Sequence, residues 1–303
     1  MAEPASNPFT VEQCRRFYAE EIRVAAALAS QALVNAFARV PRERFLGPPP
    51  WQFSSGVSLR PAAYRRTSDV RDLYHDIFVA LKGEQFLNNG QPSILARLLD
   101  ALDLSAGKRV VHVGCGTGYY TAVIAEVVGP AGAVVALEID PDLAARAAAN
   151  LSQYAIVQVL HRDGATVSLG PADAILINAG VTHPHPAWLD GLNEAGVLVV
   201  PLLVGKTPAS CDALVLRIAR SGQQFAAEPV TVLTIYPSPG PRDSAIQSLL
   251  NAAFESRDIL RLRSVRVDRH DRTDSCIAHA STFCLSAEAA SSPLPGAPAA
   301  LTP

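Results

Sequence analysis

The sequence predicts an α/β protein built on a doubly wound, mostly parallel sheet of seven strands, with helices before it and a small α+β addition after it. Three observations carry that prediction. Residues 108–113 are a short, β-branched apolar run between Gly107 and Gly114, too short for a helix and therefore a buried strand. Gly114-Cys115-Gly116-Thr117-Gly118 follows as a turn in which three glycines remove the Cβ atoms that would hold a ligand off the backbone. Residues 120–128 then continue at helical spacing, Gly129-Pro130 closes that helix, and residues 133–139 form a second apolar strand with Glu138 near its end. Strand, glycine turn, helix, strand and acid make a βαβ unit suited to holding a nucleoside at the strand C-termini.

The bulk numbers narrow the class. A chain of 303 residues with 49% hydrophobic and 18% charged content buries a large core and suits one elaborated domain. A formal charge of −2 gives no polyanion-binding signature, so no nucleic-acid partner is expected. Cys14, Cys115, Cys211, Cys276 and Cys284 are odd in number and include no C-x-x-C pair. That pattern predicts reduced thiols and a cytoplasmic setting, with neither a disulfide frame nor a metal site. The first residues show no basic and apolar leader, and residues 24–38 are too short and too interrupted (Ser30, Gln31, Asn35) to span a bilayer, so no membrane partner is expected.

In order along the chain, residues 1–9 read as a loose tail. Thr10 and Gln13 make a capping box for a helical pattern over 11–40, one amphipathic helix or two, with Phe17, Ile22, Leu28, Leu33 and Phe37 among its apolar positions. Pro41 stops it, and Pro48-Pro49-Pro50 forces extended chain. Residues 93–104 form a helix with Ile94, Leu95, Leu98, Leu99 and Leu102 on one face. Asp140 caps an alanine-rich helix over 141–152, with Pro141 in its first turn. Residues 156–160 are a third strand running into His161-Arg162-Asp163-Gly164. Residues 173–178 are a fourth, whose end at Asn178-Ala179-Gly180 faces the reacting group. A short helix over 188–192, a fifth strand over 196–203 and an antiparallel pair over 213–218 and 229–235 complete the sheet. Residues 244–255 are an amphipathic helix, 259–267 and 276–285 are strand-like around a charged turn at 268–274, and the Ala/Pro/Ser-rich stretch from 287 is expected to be disordered.

The spacing of the glycines selects the nucleoside. A dinucleotide fingerprint is G-x-G-x-x-G, whereas here the pattern is G-x-G-x-G with Tyr119 at the sixth position. A nicotinamide oxidoreductase fails on that spacing. The pattern, with an acid closing the next strand, resembles motifs I and II of class I S-adenosylmethionine (SAM) methyltransferases, which have a Rossmann-like fold. In that family the glycine turn lies against the methionine part and the acid accepts hydrogen bonds from both ribose hydroxyls. The resemblance implies SAM as cofactor, held by Gly114, Gly116, Thr117, Gly118, Tyr119, Glu138 and Ile139.

A narrower resemblance covers roughly residues 30–205. Residues 36–47 (AFARVPRERFLG) are similar to the "A-x-x-x-V-P-R-x-x-F" phrase of protein-L-isoaspartate O-methyltransferases, matched by Ala36, Val40, Pro41, Arg42 and Phe45. Tyr74-His75-Asp76, followed by Gly83-Glu84-Gln85-Phe86-Leu87-Asn88-Asn89-Gly90-Gln91-Pro92, is similar to that family's "Y-x-D … G-x-x-x-S-Q-P" approach to the active site. Asp163-Gly164 resembles its "x-x-D-G" corner, where the Asp contacts the adenine amino group. Asn178 would complete the cofactor set.

Two departures stand out. Methyl transfer from a sulfonium is an in-line displacement, and a carboxylate acceptor is already ionised near neutral pH, so positioning donors suffice. The resemblance implies a Ser or Thr hydroxyl for that work just before the Q-P phrase, but Gly90 stands there, after Asn88 and Asn89. Either the amides of Asn88 and Asn89, with Gln91, act as the catalytic donors, or Asn-Asn-Gly is a tight turn. In both cases residues 87–91 cover the methionine end, with Gly90 in the cofactor-binding set. The second departure is His112, which stands where the family has Asp or Glu to organise the turn and the methionine ammonium. A neutral His offers that ammonium no charge.

Other residues have plainer readings. His183 and His185 lie in a loop stiffened by Pro184 and Pro186; the sharper alternative is a base for an oxygen or nitrogen acceptor. The H-x-H pair lacks a third ligand at metal spacing. Cys115 is a small residue of the turn. The whole predicts a SAM-dependent methyltransferase acting on a carboxylate or other oxygen or nitrogen acceptor, in a protein, a peptide or a small molecule. The alternative is a catalytically inactive SAM-binding or protein-interaction module. The expected organisation is a helical cap over 1–92, a SAM-binding core over 93–235, an α+β extension over 236–285 and a tail over 286–303.

Overall fold

A computed structural model describes residues 8–54, 64–82, 87–165, 167, 170–205, 212–239 and 243–290. The tail expected over 1–9, the Gly83–Phe86 half of the approach phrase and the stretch from 291 onward fall largely or wholly outside those residues. The N-terminal helical pattern resolves into two helices, α1 (Val11–Ala25) and α2 (Gln31–Arg39). Both halves of the Thr10 capping box form, with Gln13 N donating to Thr10 Oγ1 at 3.2 Å and Thr10 N to Gln13 Oε1 at 2.8 Å. Ala27, at a φ of 50°, breaks the run, and Ser30 caps α2 through Leu33 N.

The segment before the core is not only helical. Strands β1 (Trp51–Ser54), β2 (Arg65–Thr67), β3 (Phe78–Lys82) and β4 (Leu87–Asn88) form a small antiparallel sheet in the order β2-β1-β3-β4. It encloses its own apolar cluster around Trp51, Phe53, Leu73 and Val79. Strands of two to five residues carry too few alternations to register as a period, so the sequence did not reveal them.

The main sheet follows α3 (Pro92–Asp100). It is built from β5 (Arg109–Val113), α4 (Tyr119–Val128), β6 (Ala133–Glu138), α5 (Pro141–Asn150), β7 (Val157–His161), β8 (Ala172–Ile177), α6 (Pro186–Asp190), β9 (Leu192–Leu203), β10 (Asp212–Ser221) and β11 (Gln224–Thr234). After α7 (Ser244–Glu255) come β12 (Ser264–Arg266), β13 (Cys276–His279) and β14 (Cys284–Ser286). The order is β13-β14-β12-β11-β10-β9-β8-β5-β6-β7, ten strands and not the seven expected. Parallel pairing is confined to β9-β8-β5-β6-β7, and every pair beyond β9 is antiparallel. Of the three extra strands, β12 pairs onto the open edge of β11, where unpaired N–H and C=O groups offer a template, and β14 and then β13 add outward from it. The strand expected over 276–285 is a hairpin, β13 turning into β14.

Alternating side chains of the parallel strands enter two cores. Val110, Val134, Ala136, Ala174 and Leu176 pack with residues of α1 to α4, while Val111, Leu137, Ile175 and Ile177 pack with residues of α6 and α7. From β5 the chain runs outward through β6 and β7, then returns to β8 on the other side of β5. The C-termini of β5 and β8 therefore flank the point where strand order reverses, the place where ligands bind in such sheets. Among the described residues no helix is long and apolar enough to cross a membrane.

Candidate functional site

The site starts with the turn between β5 and α4. Gly114, Gly116 and Gly118 all lie at positive φ, at 77°, 57° and 96°. Two of them are forced by close packing: a Cβ on Gly114 would meet Asn178 O at 3.0 Å, and one on Gly118 would meet Leu151 Cδ1 at 2.7 Å. Gly116 differs. A Cβ there would meet only Leu81 Cδ1, at 3.8 Å, so its face is open to a ligand, with β3 alongside.

The end of β6 closes on this turn. Glu138 is buried, and its Oε2 accepts from Gly116 N at 2.7 Å while Oε1 accepts from Ile139 N at 2.9 Å and Asp140 N at 3.0 Å. A carboxylate offers about four acceptor positions, so room for a hydroxyl donor remains. Next to it, Asp140 caps α5 and pairs with Lys82 Nζ at 2.6 Å, which ties the end of β3 to the β6 corner. The pairing raises the Lys82 pKa, and the same hydrogen bond holds the Asp140 carboxyl below its usual range.

On the far side of the turn, Asn178 follows β8. Its N–H donates to Val113 O at 2.8 Å and its Nδ2 to Gly114 O at 3.2 Å, so it clamps β5 and the first glycine together. Asp163 accepts Ala165 N on Oδ1 at 2.9 Å, shaping the corner after β7. Gly164 fits because a Cβ there would lie 2.4 Å from Val113 Cγ1, and its carbonyl accepts from Trp188 Nε1 at 2.8 Å.

The β4–α3 segment borders the turn from above. Asn88 Oδ1 accepts Gly90 N at 2.8 Å, and Gly90 sits at a φ of 77°, so the tight turn forms. Asn89 Oδ1 takes Val79 N at 2.8 Å and an Arg42 Nη2 contact at 3.4 Å, while Asn89 Nδ2 is buried without a partner. Gln91 Nε2 and Ser93 Oγ donate to Asp76 Oδ2 at 2.7 and 2.6 Å, and Ser93 N to Asp76 Oδ1 at 2.8 Å, which fixes the entry to α3. Tyr120 Oη donates to Gly90 O at 3.3 Å and links the segment to the first turn of α4.

One organising residue had no assigned role in the sequence. Arg42 is fully buried, and its guanidinium donates to the carbonyls of Leu73, His75 and Ile77 as well as to Asn89. It gathers the Tyr74-His75-Asp76 segment and Asn89 around one cation. The only sequence signal was its place in the V-P-R phrase.

The comparisons decide the family. Residues 61–222 match the family model for protein-L-isoaspartate(D-aspartate) O-methyltransferase (PCMT), more than half of the chain. The chain belongs to that family. Protein-L-isoaspartate O-methyltransferase 1 of Archaeoglobus fulgidus is 32% identical over 195 residues, covering 63% of this chain and 80% of that protein. A relative from Thermotoga maritima is 30% identical over 177 residues, covering 57% of this chain but only 51% of the relative. Among solved structures, a protein-L-isoaspartate O-methyltransferase aligns at a TM-score of 0.61 and 23% identity over 86% of this chain and 73% of that one. A Plasmodium falciparum beta-aspartate methyltransferase in complex with S-adenosyl-L-homocysteine aligns at 0.57 and 17% over 74% and 97%. These two show the α/β fold. This PCMT-family chain is a SAM-dependent methyltransferase with SAM as its cosubstrate.

The residues fit that molecule. The open face of Gly116 and the spare acceptor capacity of Glu138 suit a ribose-bearing ligand at the switch point. A buried polar atom without a protein partner, His112 Nε2, belongs to a stretch expected near the methionine end. His112 is fully buried, its Nδ1 lies 2.9 Å from Thr121 Oγ1, and burial pushes its pKa down to about 4. It is therefore neutral, in line with the reading that it offers no charge.

Other expected contributors play structural parts. The Tyr119 ring turns away from the switch point into an aromatic cluster with Phe37, Phe45 and Tyr120, its hydroxyl 3.2 Å from that of Tyr18, so only its main chain borders the turn. Thr117 is buried and its carbonyl accepts Asn150 Nδ2 at 2.9 Å. Burial and the Glu138 charge push the Cys115 thiol up, away from a thiolate. His185 Nδ1 caps α6 through Ala187 N, and His183 stacks on Phe283 with ring centroids 6.0 Å apart, so both serve the loop's structure.

Proposed function

We propose that this PCMT-family enzyme transfers the methyl group of SAM to a carboxylate on a protein or peptide, with an acceptor pocket altered around Gly90. The observation that carries the reading is the Glu138 carboxylate bonded to Gly116 N at the lip of the glycine turn. There Glu138 accepts the ribose hydroxyls, Asp163 the adenine amino group, and Gly114, Gly116 and Gly118 let the backbone approach the methionine part. SAM supplies an electrophilic methyl on a sulfonium. The chain's own work is to orient the acceptor and exclude water.

For the acceptor we infer that Asn89 Nδ2 takes the place of the family's hydroxyl as a fixed donor. A donor held by Val79 N, Asn89 N on Val79 O, and Arg42 is already oriented before the acceptor arrives. Gln91 acts through Asp76 as a positioning residue, and Asn88 shapes the turn. The seven strands β5 to β11 would form the catalytic unit. The inactive-module alternative gains no support, since the glycines, Glu138 and Asp163 are all retained.

The test is transfer of labelled methyl from SAM to an isoaspartyl peptide and to its aspartyl counterpart. Base-labile label on the isoaspartyl peptide alone supports the reading. Label that survives base treatment, or label on neither peptide together with label on another protein acceptor's nitrogen, sinks the carboxylate assignment.

A further inference from the structure

We propose that His270, Cys276, His279 and Cys284 bind one structural zinc ion that fastens the loop over 267–275 to the β13–β14 hairpin. The ligand atoms of these four side chains all lie within 4.8 Å of one another. With Zn–S near 2.3 Å and Zn–N near 2.0–2.1 Å, tetrahedral geometry sets ligand atoms roughly 3.3–3.8 Å apart, so closing the cluster on a metal needs shifts of about an ångström. One edge is already there: His270 Nε2 stands 3.6 Å from Cys276 Sγ.

The backbone explains how a poor spacing becomes a good site. Cys276 and His279 are three residues apart, which on a regular strand places them on opposite faces. The ladder slips between Cys276 and Ala278, where one extra residue re-aims the strand, so both can face the same way. The hairpin then sets Cys284 directly across from His279, and the loop before β13 returns His270 to the group. No C-x-x-C signature exists to announce this, and the stretch over 276–285 read as one strand would have kept Cys276 and Cys284 far apart. The expectation of no metal site rested on that spacing.

The surroundings suit a metal. His270 Nδ1 donates to Asp268 O at 3.0 Å, the tautomer that leaves Nε2 as ligand. Thr273 N donates to Cys276 Sγ at 3.3 Å, as an amide supports a thiolate ligand. His279 Nδ1 is buried with no partner. Two thiolates and two imidazoles with no open position make a closed, structural set that selects zinc. The cluster lies beyond residues 61–222, the part of the chain that matches the family model. Phe283, adjacent to Cys284, stacks on His183 in the loop after β8, so the metal would also brace that loop.

The test uses the full chain purified under reducing, chelator-free conditions, incubated with Zn(II), desalted and analysed for metal. One zinc per chain is expected, lost in Cys284→Ser and His270→Ala but kept in Glu138→Ala. Chelation should lower Tm, and added Zn(II) should restore it. Because the ligand variants risk misfolding, Co(II) loaded into the unaltered protein gives a second readout: tetrahedral visible bands with thiolate charge transfer. Absence of bound zinc after loading, cobalt spectra without thiolate character, or a Cys276–Cys284 disulfide in the native protein that takes up no metal after reduction would each overturn the proposal.

Discussion

His112 makes the stability of this protein fall in acid by an amount the structure sets. The side chain is fully buried under α4 on β5, its Nδ1 against Thr121 Oγ1, with burial holding its pKa at about 4 against 6.5 for a free imidazole. The unfolded chain takes up a proton near pH 6.5 and the folded chain only near pH 4, so between them the unfolded state binds more protons. The neutral histidine's advantage is fully present above pH 6.5 and is lost as the pH falls toward 4. At about 1.36 kcal/mol per pH unit the full loss is about 3.4 kcal/mol, and by pH 4.5 about 2.7 kcal/mol of it has gone. Against a typical total of about 5–15 kcal/mol that is a large fraction. Urea unfolding from pH 7.5 to 4.5, compared between the protein and His112→Asn, isolates it, because the carboxylates titrate in both. The protein should lose about 2–3 kcal/mol more than the variant over that range, and parallel curves would refute the linkage.

Restoring the family's hydroxyl by Gly90→Ser should cost about 1–2 kcal/mol, because a Cβ at a φ of 77° meets Leu95 Cδ2 at 2.7 Å; an unchanged urea midpoint would contradict this. Arg42→Lys keeps the charge but loses the fork onto Leu73, His75, Ile77 and Asn89, and should destabilise by about 3 kcal/mol in the same assay. Asn89→Ala should lower kcat about 10- to 100-fold while SAM affinity stays within about twofold, as expected when a donor acts on the acceptor. Equal loss in SAM affinity would move Asn89 into the cofactor site.

The sequence exposed what is local. The β5–glycine turn–α4–β6 unit was legible because its strands are continuous apolar runs and its turn needs residues that accept positive φ at Gly114 and Gly118. The Thr10 capping box was equally local. What stayed hidden depends on distant contacts. Arg42 looks like any surface arginine until Leu73, His75 and Ile77 fold around it, and the strands of the small sheet are too short to show a period. The count of ten strands and the His270–Cys284 cluster both follow from edge pairing and a bulge, neither of which leaves a mark in residue spacing. Tyr119 shows the opposite error: its place in the motif is right, yet packing sends its ring to Tyr18 and Phe45.

We propose that SAM binds at the glycine turn through Glu138. Calorimetric titration with SAM and with its demethylated product, on the protein and on Glu138→Ala checked for retained fold, tests it most directly. Saturable one-site binding of both ligands is expected, with a loss on the order of 2 kcal/mol or more in the variant, about 30-fold in Kd. Absence of binding to either ligand, or equal affinity in the two proteins, would contradict it.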